Sequence, residues 1–145
     1  MNDDIKQKLI DYLASHTYAR LATVAAGGKP LVHTVAYASD GATIYFGTLK
    51  TTRKVKNIEG NPNVSYTVDE NYQHTNKIQG IQMEGVATLL LEKADIQKAG
   101  SLLMKKFGDI PKVPPDQMVL IKVEPRQAFF LDYTKGFAHT DRVIF

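Results

Sequence analysis

The run TLKTTRKVKNIEGNP at positions 48–62 brings Lys50, Arg53, Lys54 and Lys56 together with Thr48, Thr51 and Thr52. Its spacing predicts a short helix that begins among the threonines. Cations in the first turn of a helix stand where the backbone dipole is already positive, so they weaken the helix unless an anion shares the place. Thr51 or Thr52 suits the N-cap, the first N–H groups point outward, and Arg53 and Lys54 add charge-assisted donors. Together these residue types make a cradle for a phosphate. The competing reading is a solvated, lysine-rich turn without a ligand, which the three hydroxyls and the arginine disfavour. Neither GxxxxGK[ST] nor GxGxxG occurs in the chain, so the phosphate is not that of a P-loop nucleotide or a Rossmann dinucleotide.

Other chemistry finds little support. The chain has no cysteine, which removes disulfides, thiolate metal sites and cysteine nucleophiles. Histidines 16, 33, 74 and 139 show neither HxxxH nor HExxH spacing, and no metal site is expected. No serine lies in GxSxG, no carboxylate pair stands out as acid and base, and Asp69-Glu70 reads as the end of a strand. No catalytic residue can be named. His16 and His74 read as ordinary surface or core residues, and Lys105-Lys106 as the charge complement of a helix C-terminus. In the tail KGFAHTD, Phe137 and His139 either reach a second subunit or simply pack.

The elements that must position the basic turn follow from periodicity. Residues 3–15 place Ile5, Leu9, Tyr12 and Leu13 on one helical face, with Asp3 and Asp4 at its N-terminal end. ARLATV and LVHTVAYA read as strands joined at Gly27-Gly28, and Asp40-Gly41 signals a further hairpin into ATIYFGT. These three strands are expected to form an antiparallel meander. The basic helix follows, ended by Gly60-Asn61-Pro62, and NVSYTV returns to strand. After the polar loop ENYQHTNK, residues 78–91 form a long strand with Gly80 and Gly85 as bulges or close-approach points. Residues 92–107 switch to helical spacing and end at Gly108. PKVPPD reads as a linker, VLIKVEP and QAFFLDY as two strands, and TKGFAHTDRVIF as a tail. The expected fold is mainly β (α+β): an antiparallel closed or split barrel of about six or seven strands with about three helices, as one domain over 1–145.

Composition sets outer limits. Of the 145 residues 43% are hydrophobic and 23% charged, a normal globular balance. No apolar run approaches the roughly 20 residues of a membrane span, and MNDDIKQKLI is too polar for a signal peptide. A cytoplasmic protein without membrane attachment is expected. The net charge of +3 is modest, and its basic residues form one cluster without interleaved aromatics, which disfavours nucleic acid.

ATVAAGGKPLVHTVAY, DGATIYFGT, RKVKNIEGNPNVSYTV and EGVATLL, in this order and spacing, resemble the pyridoxamine 5′-phosphate oxidase-like family of FMN-binding split barrels. The likeness runs from about Tyr18 to Leu91, and its order of elements continues to Tyr133. It implies an FMN phosphate against Gly47, Thr48, Thr51, Thr52, Arg53 and Lys54, and an isoalloxazine ring along His33, Thr34 and Val35. Family members often carry arginine at the place of His33; histidine is not a permanent cation, so its contribution is expected to depend on pH around its reference pKa near 6.5. Gln79 is the candidate polar contact at the ring edge, because Gly80 stands where the true oxidases have glutamine. The likeness further implies a homodimer with the flavin at the subunit interface. Ala38 stands near the place of a substrate-binding lysine and the tail lacks the RxH motif, so the vitamin B6 oxidase activity itself is not expected.

The function these residues imply is an FMN-dependent oxidoreductase that moves hydride to or from a small molecule. Two alternatives are a non-enzymatic flavin- or haem-binding, stress-response protein and a relative that uses deazaflavin F420.

Overall fold

The computed structural model describes residues 2–109 and 113–145. Helix α1 (Asn2–Ser15) precedes strands β1 (Tyr18–Val24), β2 (Pro30–Ala36), β3 (Ala38–Asp40) and β4 (Thr43–Leu49). Helix α2 (Arg53–Gly60), β5 (Asn63–Val68), β6 (Gln79–Leu89), α3 (Lys93–Phe107), β7 (Met118–Asp132) and β8 (Thr140–Ile144) complete the chain. The strands form one antiparallel eight-stranded sheet in the order β2-β1-β5-β6-β7-β4-β3, with β8 also on β7. This is the split-barrel fold expected, with three α-helices around a curled sheet.

The two hairpins form where glycine permits positive φ: Gly27 and Gly28 at +88° and +89°, and Gly41 at +59°. The three-strand meander does not form. β2 pairs only with β1, whereas β4 pairs with β7 from Ile44↔Val123 to Leu49↔Met118. LVHTVAYA breaks at Tyr37, which is fully buried and donates its hydroxyl to the Leu13 carbonyl at 2.8 Å. The chain therefore crosses the core between β2 and β3 and leaves the barrel split there.

VLIKVEP and QAFFLDY are one strand, not two. Proline at 125 is tolerated because the ladder slips beside it: Glu84 faces Gln127, Gly85 faces Pro125, and Arg126 is left as the extra residue. Gly85 is required there, since a Cβ would stand 2.6 Å from the Glu124 carbonyl oxygen. The tail adds a strand because Val143 enters the core at 1% exposure. The proposed linker PKVPPD lies partly outside the described residues; its later part is a 3-10 turn over Pro115–Gln117. Gly60 is the last residue of α2 and Asn61 its cap, whereas Gly108 closes α3 in the left-handed region as expected.

The core fills the curl of the sheet. Leu9 and Leu13 of α1 and Val55 and Ile58 of α2 close over Leu21, Phe46, Ile81, Ile121 and Phe130 from the strands. A satellite cluster of Tyr45, Leu90 and Ala99 seats α3 on the other surface of the sheet.

Candidate functional site

The basic turn is held rigidly from below. Val55, Asn57 and Ile58 are the buried residues of α2, and the Asn57 amide donates to the Thr23 hydroxyl at 3.0 Å across a buried contact with β1. The entry to the helix is tied to the sheet by Lys50 N–H to the Gln117 carbonyl at 2.9 Å. These bonds fix where the first turn of α2 points.

Thr52 occupies the N-cap in extended conformation, yet its side chain caps nothing. Its hydroxyl donates instead to the Leu49 carbonyl at 3.0 Å, so the first N–H groups of α2 have no side-chain partner. Thr51 and Arg53 are exposed, and Lys54 is half-buried. Burial pushes the Lys54 ammonium below its ordinary pKa. Among the described residues no carboxylate forms a salt bridge with Arg53 or Lys54.

His33 completes this cluster. It lies opposite Leu21 in the β1–β2 ladder, half-buried, on the same face of β2 as the core residue Val35. Burial, and then the charges of Lys54 and Arg53, hold its imidazole below the ordinary histidine pKa. Its Nε2 is buried and has no hydrogen-bond partner. The ring nitrogen is thus a buried polar atom without a hydrogen-bond partner, beside two cations that no carboxylate compensates.

The remaining expected contacts divide in two groups. Gly47, exposed, and Thr48, half-buried, end β4 just before the basic turn. Thr34 is exposed on the outer face of β2, and Val35 is 6% exposed and packed in the core, so Val35 presents little but backbone to a ligand. Gln79 is elsewhere. It pairs with Asp132 at the start of β6, three places from β2 in the sheet order, and its carbonyl accepts from the Tyr12 hydroxyl at 3.1 Å. At about 4.8 Å per strand, one chain does not bring Gln79 to His33.

Several residues read as ordinary have specific partners. His16 stacks on Tyr12 with ring centroids 3.8 Å apart and meets Glu70 at 2.7 Å. Lys106 does not merely complement a helix end: it donates to the His16 carbonyl and lies 4.3 Å from the Tyr37 ring centroid. His139 contacts Asp141 at 3.0 Å, while Phe137 is 90% exposed. Among the described residues there is no cluster of metal-ligating side chains. Leu103 and Phe107 of α3 are half-buried and flank an apolar groove of about 350 Å³ beside Gly47. The only sequence signal for it is Gly100, a glycine inside the α3 pattern.

The curled antiparallel sheet with its three helices defines the split-barrel class of fold. The family model described as pyridoxamine 5′-phosphate oxidase matches residues 5–132, and the chain belongs to that family. General stress protein 26 of Bacillus subtilis is 49% identical over 61 residues, a stretch that covers 42% of this chain and 43% of that relative. Among solved structures, an FAD-binding protein of Mesorhizobium loti superposes with a TM-score of 0.69 at 24% identity, covering 84% of this chain and 90% of the other. HutZ, the haem storage protein of Vibrio cholerae, superposes with a TM-score of 0.73 at 19% identity, covering 85% of this chain and 92% of the other. At these identities the two structures establish the shared fold. Among the described residues no helix is long and apolar enough to cross a membrane.

Proposed function

We propose that the chain is an FMN-binding flavoprotein, active as a homodimer, that exchanges hydride with a small molecule. The observation that carries this reading is the uncompensated positive site formed by His33, Arg53, Lys54 and the open N-terminus of α2. Three groups of like charge tendency, two of them partly buried, repel one another unless an anion joins them. A phosphate monoester fits in charge and in its need for several donors. Arg53 and Lys54 would hold the phosphate, with the first N–H groups of α2. His33, whose Nε2 is buried, would act on the bound anion through the charge its imidazole gains on protonation, and exposed Thr34 would line the edge of the ring. Flavin, once bound, supplies the two-electron chemistry, while the protein supplies binding, orientation and electrostatics.

The second subunit has a role in this reading because Gln79 cannot join the site within one chain. The outer face of β1, β2, β5 and β6 carries a shallow concavity with Arg20, Val32, Gln82 and Glu84 on it. A two-fold contact uses one patch twice, and this patch offers both signs of charge.

Titration of the apoprotein with FMN and with riboflavin tests the proposal, with flavin fluorescence quenching as the readout. FMN is expected to bind at least about tenfold more tightly than riboflavin, because only FMN brings the anion that the basic turn lacks. Equal affinities would remove the phosphate from the site. A Soret band on addition of haem, with no flavin binding, would favour the haem-binding alternative.

A further inference from the structure

The loop of residues 69–78 between β5 and β6 is tied to α1 at one place. Asn71, Gln73, His74, Thr75, Asn76 and Lys77 are all exposed, so the loop buries little of its own. Its Tyr72 hydroxyl lies 2.9 Å from the Tyr12 hydroxyl, and its Glu70 carboxylate meets the His16 ring at 2.7 Å. Both partners belong to the C-terminal end of α1. Tyr12 is in the last turn and His16 stands just beyond it, their rings stacked with centroids 3.8 Å apart and planes 18° from parallel.

The His16 ring faces an acceptor on each side. Nδ1 stands 2.7 Å from the Tyr12 carbonyl oxygen, and Nε2 stands 2.7 Å from Glu70 Oε2. A carbonyl oxygen accepts and never donates, so Nδ1 carries a hydrogen. Nε2 faces a carboxylate and needs a hydrogen as well, a demand that the cationic ring meets and the neutral ring does not. On neutralisation one nitrogen lone pair is left against an oxygen. The same geometry argues against Ser15 as a nucleophile, although its Oγ is 3.0 Å from Nδ1. A nitrogen that already donates to a carbonyl does not take the serine's proton, and Ser15 Oγ itself donates to the Tyr12 carbonyl at 3.0 Å.

We propose that His16 and Glu70 form a pH-sensitive latch, in which the imidazolium clamps the loop of residues 69–78 onto the end of α1 and neutralisation of the ring releases it. The latch shares no residue with the basic turn and stands independently of the FMN reading. Its contact is complete in acid and is lost as pH rises through the range where histidine changes charge, about pH 5 to 8. That is opposite in sign to His33, whose charged form burial disfavours. The other charged groups around the ring do not supply the switch. Asp69 pairs with Arg20 of β1 at 3.5 Å, and carboxylates and guanidinium groups do not ordinarily change charge in that range. Lys106 of α3, whose pKa burial lowers, bonds the backbone carbonyl of His16 and not the loop, so its titration leaves the Glu70 contact standing. Burial raises the pKa of both Tyr12 and Tyr72, so the hydroxyl pair keeps its protons throughout. What the latch holds reaches further than the loop, because the Ile78 carbonyl accepts from Tyr133 N–H at 2.8 Å and β6 begins at Gln79.

Amide hydrogen exchange, corrected for the pH dependence of the chemical step, reads the latch locally. The probes are Lys77 and Ile78, whose N–H groups bond within the loop to the His74 and Thr75 carbonyls at 3.0 and 3.4 Å. Between about pH 6 and pH 8 wild type is expected to lose protection there about threefold, the scale of a partly exposed ion pair. Ile81 and Phe130, paired in the β6–β7 ladder, should not follow. His16→Gln keeps a donor for Glu70 and has no titratable proton, so its loop protection should be the same at both pH values. Glu70→Gln, whose amide can donate to a neutral Nε2, should flatten or invert the profile. In wild type alone, nitrogen NMR of the His16 ring should show both nitrogens protonated in acid, and loss of one of them should track the loss of loop protection. Loop protection that ignores pH in wild type, or a ring singly protonated where the loop is fully protected, overturns the latch. A pH dependence that survives His16→Gln also overturns it, and its disappearance in His74→Gln or His139→Gln would move the switch to that residue.

Discussion

At the scale of single residues, the proposed site assigns His33 and Arg53 separable contributions. Arg53→Ala removes a charge-assisted bond worth about 1.5–3 kcal/mol, so FMN affinity should fall roughly 10- to 150-fold while circular dichroism stays unchanged. His33 is held below its ordinary pKa by burial and by the neighbouring Lys54 and Arg53 charges. In the apoprotein the unfolded chain therefore binds the proton more tightly than the folded one. Stability contributed by neutral His33 is present above pH 6.5 and is lost as pH falls from 6.5 through the lowered folded value. Urea melts of wild type and His33→Gln should converge or cross on acidification, with wild type showing the steeper loss. A bound phosphate reverses the sign by favouring imidazolium. Because a phosphate monoester itself titrates near pH 6, the readout is the ratio of wild-type to His33→Gln affinity for FMN. That ratio should rise as pH falls below 6.5, and His33→Arg should bind FMN well throughout. A ratio flat from pH 5 to 7.5 would show that Thr34 or backbone, and not His33, meets the flavin.

At the scale of elements, α2 and the β6–β7 ladder decide whether the site exists. Asn57 is the polar anchor under the basic turn, and its partner Thr23 is 0% exposed. Asn57→Ala leaves that hydroxyl buried and unpaired, at a cost of about 1–3 kcal/mol. Loosening of α2 should then weaken FMN binding although residue 57 touches no ligand, which denaturation and flavin titration on the same variant will show. Gly85→Ala addresses the bulge. Its Cβ would stand 2.6 Å from a backbone oxygen, so strands must separate at the point where Pro125 is accommodated. A loss of about 1–3 kcal/mol is expected from such overpacking, read as a lower urea midpoint with an unchanged m-value.

At the scale of the whole molecule, the proposed homodimer would use the exposed outer face of the sheet. Tyr18 and Val32 are 55% and 67% exposed there, beside the concavity that carries Arg20 and Glu84. Light scattering should give twice the chain mass. Val32→Glu adds a charge to both sides of a two-fold contact, so it should yield monomers and, through loss of the shared site, weaker flavin binding. A monomer that binds FMN as tightly as wild type would contradict a site completed by two subunits.

Local chemistry was legible in the sequence because it is encoded by neighbours along the chain. The positive φ needed at Gly27, Gly28 and Gly41 marked the hairpins, and the helical spacing of residues 92–107 marked α3. The crowding of Arg53 and Lys54 against a dipole of the same sign marked the candidate anion site. Pairing between distant segments was not legible. Nothing local told β4 to prefer β7 over β2, made one strand of the residues on both sides of Pro125, or turned the tail into β8. Those choices depend on which strand offers a complementary face after the chain has crossed the core at Tyr37. The same holds for His33, whose type was visible but whose orphaned Nε2 was not. Residue type and spacing determine what a side chain can do with its near neighbours, whereas burial and the company of Lys54 arise only when β2 and α2 are folded onto the same side of β1.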